Sequence, residues 1–141
     1  MRAYFAYGSN MWDAQMAVRC PQSRKIGHAR LAGYRWIIST RGYANVLPSP
    51  ENQVEGILFM ISGSDEEALD KFESVAHGAY GKQVLPVICD ETGVEALVYV
   101  DFVTGEGAPK TEYVHRMNSG LADARLSAEY VASHVRKFIP A

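Results

Sequence analysis

The chain has 141 residues, 48% apolar and 21% charged, which is ordinary for a globular protein and suits one domain over residues 1–141. A net charge of −2, with no basic run, speaks against a nucleic-acid or anionic-membrane partner. No stretch approaches a membrane span.

The chain opens on Tyr4-Phe5-Ala6-Tyr7-Gly8-Ser9-Asn10-Met11. Its aromatic half reads as a strand. Gly8 permits a sharp exit at backbone angles other residues resist, and Ser9 and Asn10 are good N-caps for a helix over Met11 to Arg19. A strand, a glycine turn and a helix start aim several backbone N–H groups at one spot, which suits an anion or oxyanion. A buried strand followed by an ordinary capped helix fits the same residues. Pro21 ends the helix at Cys20.

Lys25 to Thr40 reads as two strands or one strongly bent ribbon, with Gly27 and Gly33 as bends. Ala44 to Leu47 is a short apolar run stopped by Pro48-Ser49-Pro50. Val54 to Ile61 is a strand buried on both faces. Ser64 to Glu67 spells a capping box. The helix it opens has Ala68, Leu69, Phe72, Val75 and Ala76 as its buried stripe, with Gly78 as a stop. Gln83 to Cys89 and Val94 to Val103 form a hairpin through Asp90-Glu91-Thr92-Gly93, with Gly93 suited to the left-handed conformation. From Lys110 onward the pattern is helical. The last helix is capped at Ser127 and striped by Leu126, Tyr130, Val131, His134, Val135 and Phe138. This order is α+β, and the two-sided apolar strand suggests a curled or closed barrel covered by helices.

The four histidines show no metal-binding spacing, and no cysteine pairs with one, so no metal is expected. Serine lacks a nucleophile elbow, and no phosphate or dinucleotide fingerprint occurs. Cys20 and Cys89, without CxxC spacing, read as free thiols of a reducing compartment. With no secretory signal in MRAYFAYGSN, the expectation is a soluble cytoplasmic chain. Among the acids, Asp70 falls on the solvent side of its helix. Glu73 lies at the edge of the stripe made by Leu69, Phe72 and Ala76, in the last turn. Partial burial and the helix dipole both raise its pKa, as a general acid/base requires. A boundary glutamate without a role has the same position.

YFAYGSNM resembles the N-terminal signature of the γ-glutamylcyclotransferase-like family, YxxYGSN followed by Leu or Met. Further marks follow in order. Val54-Glu55-Gly56-Ile57-Leu58-Phe59-Met60 resembles the family's glycine-containing strand, preceded by Ala44-Asn45-Val46 and a proline break. Leu69-Asp70-Lys71-Phe72-Glu73 resembles the family's LDxxEG helix, with Gly78, Tyr80 and Val84 after it, and Tyr113 resembles a late pocket tyrosine. One departure stands out: the glycine that usually follows the glutamate is Ser74 here.

The resemblance implies a mixed β-barrel with flanking helices and release of 5-oxoproline from a γ-glutamyl compound, without metal or cofactor. It implies Glu73 as the catalytic acid/base. Substrate binding falls to Tyr4, Phe5, Ala6, Tyr7, Gly8, Ser9 and Asn10, with Tyr80 and Tyr113. Two alternatives remain: an enzyme of the same fold acting on γ-glutamylamines or a γ-glutamyl-tagged intermediate, and a non-catalytic small-molecule or peptide binding module. Ser74 leaves the substrate open, and the sequence gives no oligomeric state.

Overall fold

Strand β1 (Arg2–Ala6) is buried from Ala3 onward, as its unbroken apolar run requires of a strand with neighbours on both sides. The structure is a computed structural model that describes all 141 residues. After β1 come a 3-10 turn (Ser9–Met11) and helix α1 (Asp13–Arg19), separated by Trp12 in extended conformation. Neither Ser9 nor Asn10 caps α1. Trp12 precedes the helix, and no side chain caps it. The helix ends at Cys20, ahead of Pro21.

Strands β2 (Arg24–Ile38) and β3 (Ala44–Ile61) form one long antiparallel hairpin. β2 is the bent ribbon, with register shifts between Lys25 and Gly27 and between Ala32 and Tyr34, and Gly33 at φ 82°. Pro48-Ser49-Pro50 does not break β3. Both prolines are exposed, and the pairing skips from Tyr34↔Pro48 to Ala32↔Gln53, so their missing N–H groups fall where the ladder is already irregular.

Helix α2 (Gly63–Phe72) starts earlier than expected. Its cap is Ser62, whose hydroxyl accepts from the Asp65 N–H at 3.1 Å while Asp65 Oδ2 accepts from the Ser62 N–H at 3.1 Å. Asp65 is favoured over Glu67 as the reciprocal partner because it is buried and its other oxygen also accepts from the Gln22 N–H. The buried stripe is short because the helix also ends early, at Phe72. Leu69 is fully buried, Phe72 is 54% exposed, and Val75 and Ala76 belong to a separate 3-10 turn (Val75–His77) that Gly78 closes.

Strands β4 (Tyr80–Cys89) and β5 (Thr92–Asp101) make the second hairpin. Asp90 and Glu91, not Gly93, take the left-handed conformation, with φ 47° and 64°. A two-residue loop that matches strand twist demands positive φ at both central positions, and Gly93 is already paired with Ile88. Helix α3 (Thr111–Ala124) follows. A single helical turn, α4 (Ala128–Tyr130), is capped by the Ser127 hydroxyl and runs into a π-helical turn (Val131–Val135). No helix is long and apolar enough to cross a membrane.

The five strands close into a barrel in the order β1-β3-β2-β4-β5. β1 is antiparallel to β3 and meets β5 in parallel at Tyr4↔Leu97, which completes the circle. This is the α+β mixed barrel with flanking helices that the resemblance implies. Phe5, Val46, Ile61 and Leu97 are fully buried in its core. Gly56 lets β3 pass β1: a Cβ there would lie 2.3 Å from the Ala6 carbonyl oxygen and 2.9 Å from the Phe5 ring. Gly56→Ala is therefore expected to cost about 3 kcal/mol, whereas Gly63→Ala, in open space, changes stability by less than about 1 kcal/mol. Urea unfolding of the two variants checks this.

Candidate active site

Helix α2 stops at Glu73, whose N–H still reaches the Leu69 carbonyl at 2.8 Å. The next residue, Ser74, enters the left-handed conformation at φ 51°, ψ 44°. This is the position that favours glycine, which accounts for the family's usual Gly. Serine takes the left-handed turn here and ends the helix.

The glycine turn meets this helix end from the other side. Gly8 has φ −123°, outside the left-handed region, so no positive φ calls for glycine there. Space demands it: a Cβ on Gly8 would lie 2.8 Å from the Tyr113 hydroxyl and 3.3 Å from Ala44 Cβ. The Ser9 N–H donates to the Tyr113 hydroxyl at 3.3 Å. Asn10 is buried, and its amide donates to the Tyr4 hydroxyl at 3.0 Å. Its Oδ1 accepts from Gln15 at 2.9 Å and from Arg19 at 3.1 Å. The Tyr7 carbonyl accepts from the Trp36 indole at 2.9 Å. Side chains from α1, α3 and β2 therefore hold the turn in place.

Between the turn and the helix end lies a cavity of about 340 Å³, within the range of small-molecule sites. Of the expected residues, Glu73, Tyr4, Phe5, Tyr7, Gly8, Ser9, Asn10, Tyr80 and Tyr113 all line it. Ala6 does not: it is buried in β1, paired with Ile57, and its carbonyl faces Gly56. Its methyl side chain is too short to reach the cavity that the long Tyr4 side chain enters from the same face of β1.

Several lining residues escaped the sequence reading, among them Arg19, Arg41, Arg116, Tyr43 and Tyr99. Arg116 was within reach, because it stands one turn after Tyr113 on the same face of α3. Its guanidinium lies 4.9 Å over the Tyr113 ring. Arg41, in the β2–β3 loop, and Tyr99, in β5, carry no local signal. Asp70 also departs from expectation. It turns from solvent to accept the Tyr99 hydroxyl at 2.7 Å and Lys82 at 3.1 Å.

Burial sets the electrostatics. It lifts the Glu73 carboxyl from its ordinary 4.5 to about 7, against the opposing pull of Arg19 and Arg116, and buried Asp101 adds to the rise. Burial also pushes the Tyr4, Tyr7 and Tyr80 hydroxyls well above their usual range and raises that of Tyr113, with Glu73 contributing to each. The tyrosines are therefore neutral donors or acceptors, and Glu73 is the wall residue able to exchange a proton near neutrality. Cys20 is buried, and that burial drives its thiol up to about 12, which suits a structural cysteine and not a nucleophile.

The closed five-stranded mixed barrel with flanking helices is the fold of γ-glutamylcyclotransferase-like structures. Residues 4–116 match the family described as gamma-glutamyl cyclotransferase, AIG2-like, and the chain belongs to it. The Gamma-glutamylcyclotransferase of Bos taurus is 30% identical over 87 residues, covering 55% of this chain and 46% of the relative, about half of its length. A solved structure titled Gamma-glutamyl cyclotransferase superposes with a TM-score of 0.81 at 24% identity, covering 92% of this chain and 83% of that one. YkqA from Bacillus subtilis gives 0.82 at 26% identity, covering 93% of this chain and 51% of its own.

The raised Glu73 pKa also has a stability consequence. Between pH 4.5 and 7 the folded state holds a proton on Glu73 that the unfolded state has released. The stability associated with the neutral carboxyl is complete below pH 4.5 and is lost as pH rises through 7. Glu73→Gln removes that loss. Its melting temperature should match wild type at acid pH, with a gap in favour of the variant opening up to neutrality and constant above it. Thermal unfolding of both proteins across that range is the check.

Proposed function

We propose that the chain is a γ-glutamylcyclotransferase-like enzyme that releases 5-oxoproline from a γ-glutamyl amino acid or amine. The observation that carries this reading is the convergence of Glu73 and the Tyr7–Asn10 turn on one cavity, although the two are more than sixty residues apart in sequence.

In the proposed reaction the substrate's α-amine attacks its own γ-carbonyl carbon. A nitrogen–carbon bond closes the five-membered ring while the bond from that carbon to the leaving nitrogen breaks. Both reacting groups belong to one molecule, so the protein's work is to fold the substrate and move a proton. Glu73 takes the proton from the attacking amine and returns it to the leaving amine. A pKa of about 7 suits both transfers at neutral pH. The amides of Tyr7, Gly8 and Asn10 donate to no other backbone group, which leaves them for the substrate and for the oxyanion of the tetrahedral intermediate. Tyr4, Tyr7, Tyr80 and Tyr113 supply a wall around the reacting atoms.

The reading is tested by product analysis. A γ-glutamyl amino acid should give 5-oxoproline and the free amino acid, without glutamate. Its Nα-acetylated counterpart should be inert, because an acylated nitrogen does not attack. Glu73→Gln should lower turnover about 100-fold or more. Mass spectrometry showing glutamate, or turnover of the blocked substrate, would mean that water or an enzyme nucleophile attacks instead. Binding without any turnover would favour a non-catalytic module.

A further inference from the structure

The arginines of the cavity wall are not equivalent. Arg41 Nε lies 3.5 Å from the fully buried Asp101 carboxylate. Arg116 makes a two-pronged contact with Glu112, at 2.9 and 3.1 Å. Arg19 has no carboxylate partner. Its one hydrogen bond goes to the neutral Asn10 amide oxygen at 3.1 Å, and its guanidinium carbon lies 4.2 Å over the Phe72 ring centre. That cation–π contact anchors the group and uses none of its N–H donors, which leaves most of them for a planar anion. Glu73 is the acid among the lining residues, but it makes no ion pair with Arg19, and burial raises its pKa to about 7, so it is only partly ionised at neutral pH.

Position matters as much as charge. The turn that would bind the γ-glutamyl head is buried at Tyr7, Ser9 and Asn10, whereas Phe72 beneath Arg19 is 54% exposed and marks the rim. With the reacting γ-carbonyl between Glu73 and the turn, the departing portion of the substrate extends toward that rim. We infer that Arg19 is a specificity-determining residue that receives a carboxylate on the leaving group, so that the site selects γ-glutamyl amino acids over γ-glutamylamines. This rests on the cyclotransferase reading of the same site.

The test compares two nearly isosteric substrates, γ-glutamyl-alanine and γ-glutamyl-alaninamide, by their release of 5-oxoproline from wild type, Arg19→Gln and Arg19→Lys. Wild type should favour the acid about 10-fold or more in kcat/KM, the usual scale of one charge-assisted contact, mainly through KM. In Arg19→Gln the ratio should fall to about one, and Arg19→Lys should restore part of it. Losses that strike both substrates alike, from a shifted Asn10 or a changed Glu73 pKa, cancel in the ratio. Equal turnover of acid and amide by wild type would overturn this inference alone. So would a variant that lowers both and keeps the ratio, which would place Arg19 on the head carboxylate or in a structural role. No 5-oxoproline from either substrate would overturn the cyclotransferase reading and this inference together.

Discussion

Helix α2 ends at Glu73 because Ser74 turns left-handed, and that stop turns a surface helix into one wall of a cavity. One more helical turn would carry the chain away from the barrel mouth. Stopping there leaves the carboxyl among buried tyrosines from β1, β4 and α3 and from the segment that follows β1. The cost of ending the helix on a residue that disfavours this conformation is modest, about 1 kcal/mol. The cavity's proton chemistry depends on it.

Two opposing influences then act on Glu73. Removing a carboxylate from water raises its pKa, and nearby guanidinium groups lower it. Burial wins over the pull of Arg19, the strongest opposing cation, and of Arg116 and Arg41, the last two of which are neutralised in part by an acid of their own. The same neutralisation leaves Arg19 as the cation with no acid of its own. One arrangement of pairs thus produces both a carboxyl poised near neutrality and a site of positive charge at the rim.

The sequence showed much of this, for identifiable reasons. The barrel was legible because Val54 to Ile61 is apolar on both faces and two hairpins flank a helix. The glycine turn and Glu73 were legible because their residue types sit at marked places on strand and helix. The bounds of α2 were not: two overlapping serine–acid boxes precede it and only the burial of Asp65 decides between them, and its early stop falls at Ser74, a residue that rarely turns left-handed. The role of Gly8 was misjudged, since its need comes from the Tyr113 hydroxyl, more than a hundred residues away. Arg19 and Arg41 gave no signal. What distinguishes them is which acid each one meets across the fold, and local pattern does not record that.

Burial in the cavity wall holds the Glu73 carboxyl in a protonation equilibrium near neutrality. Carbon-13 NMR of side-chain carboxyls, assigned with Glu73→Gln, reads this directly. The Glu73 resonance should titrate with a midpoint of about 7. A midpoint at the ordinary glutamate value of 4.5 would place the carboxylate in water and contradict a buried proton-transfer group.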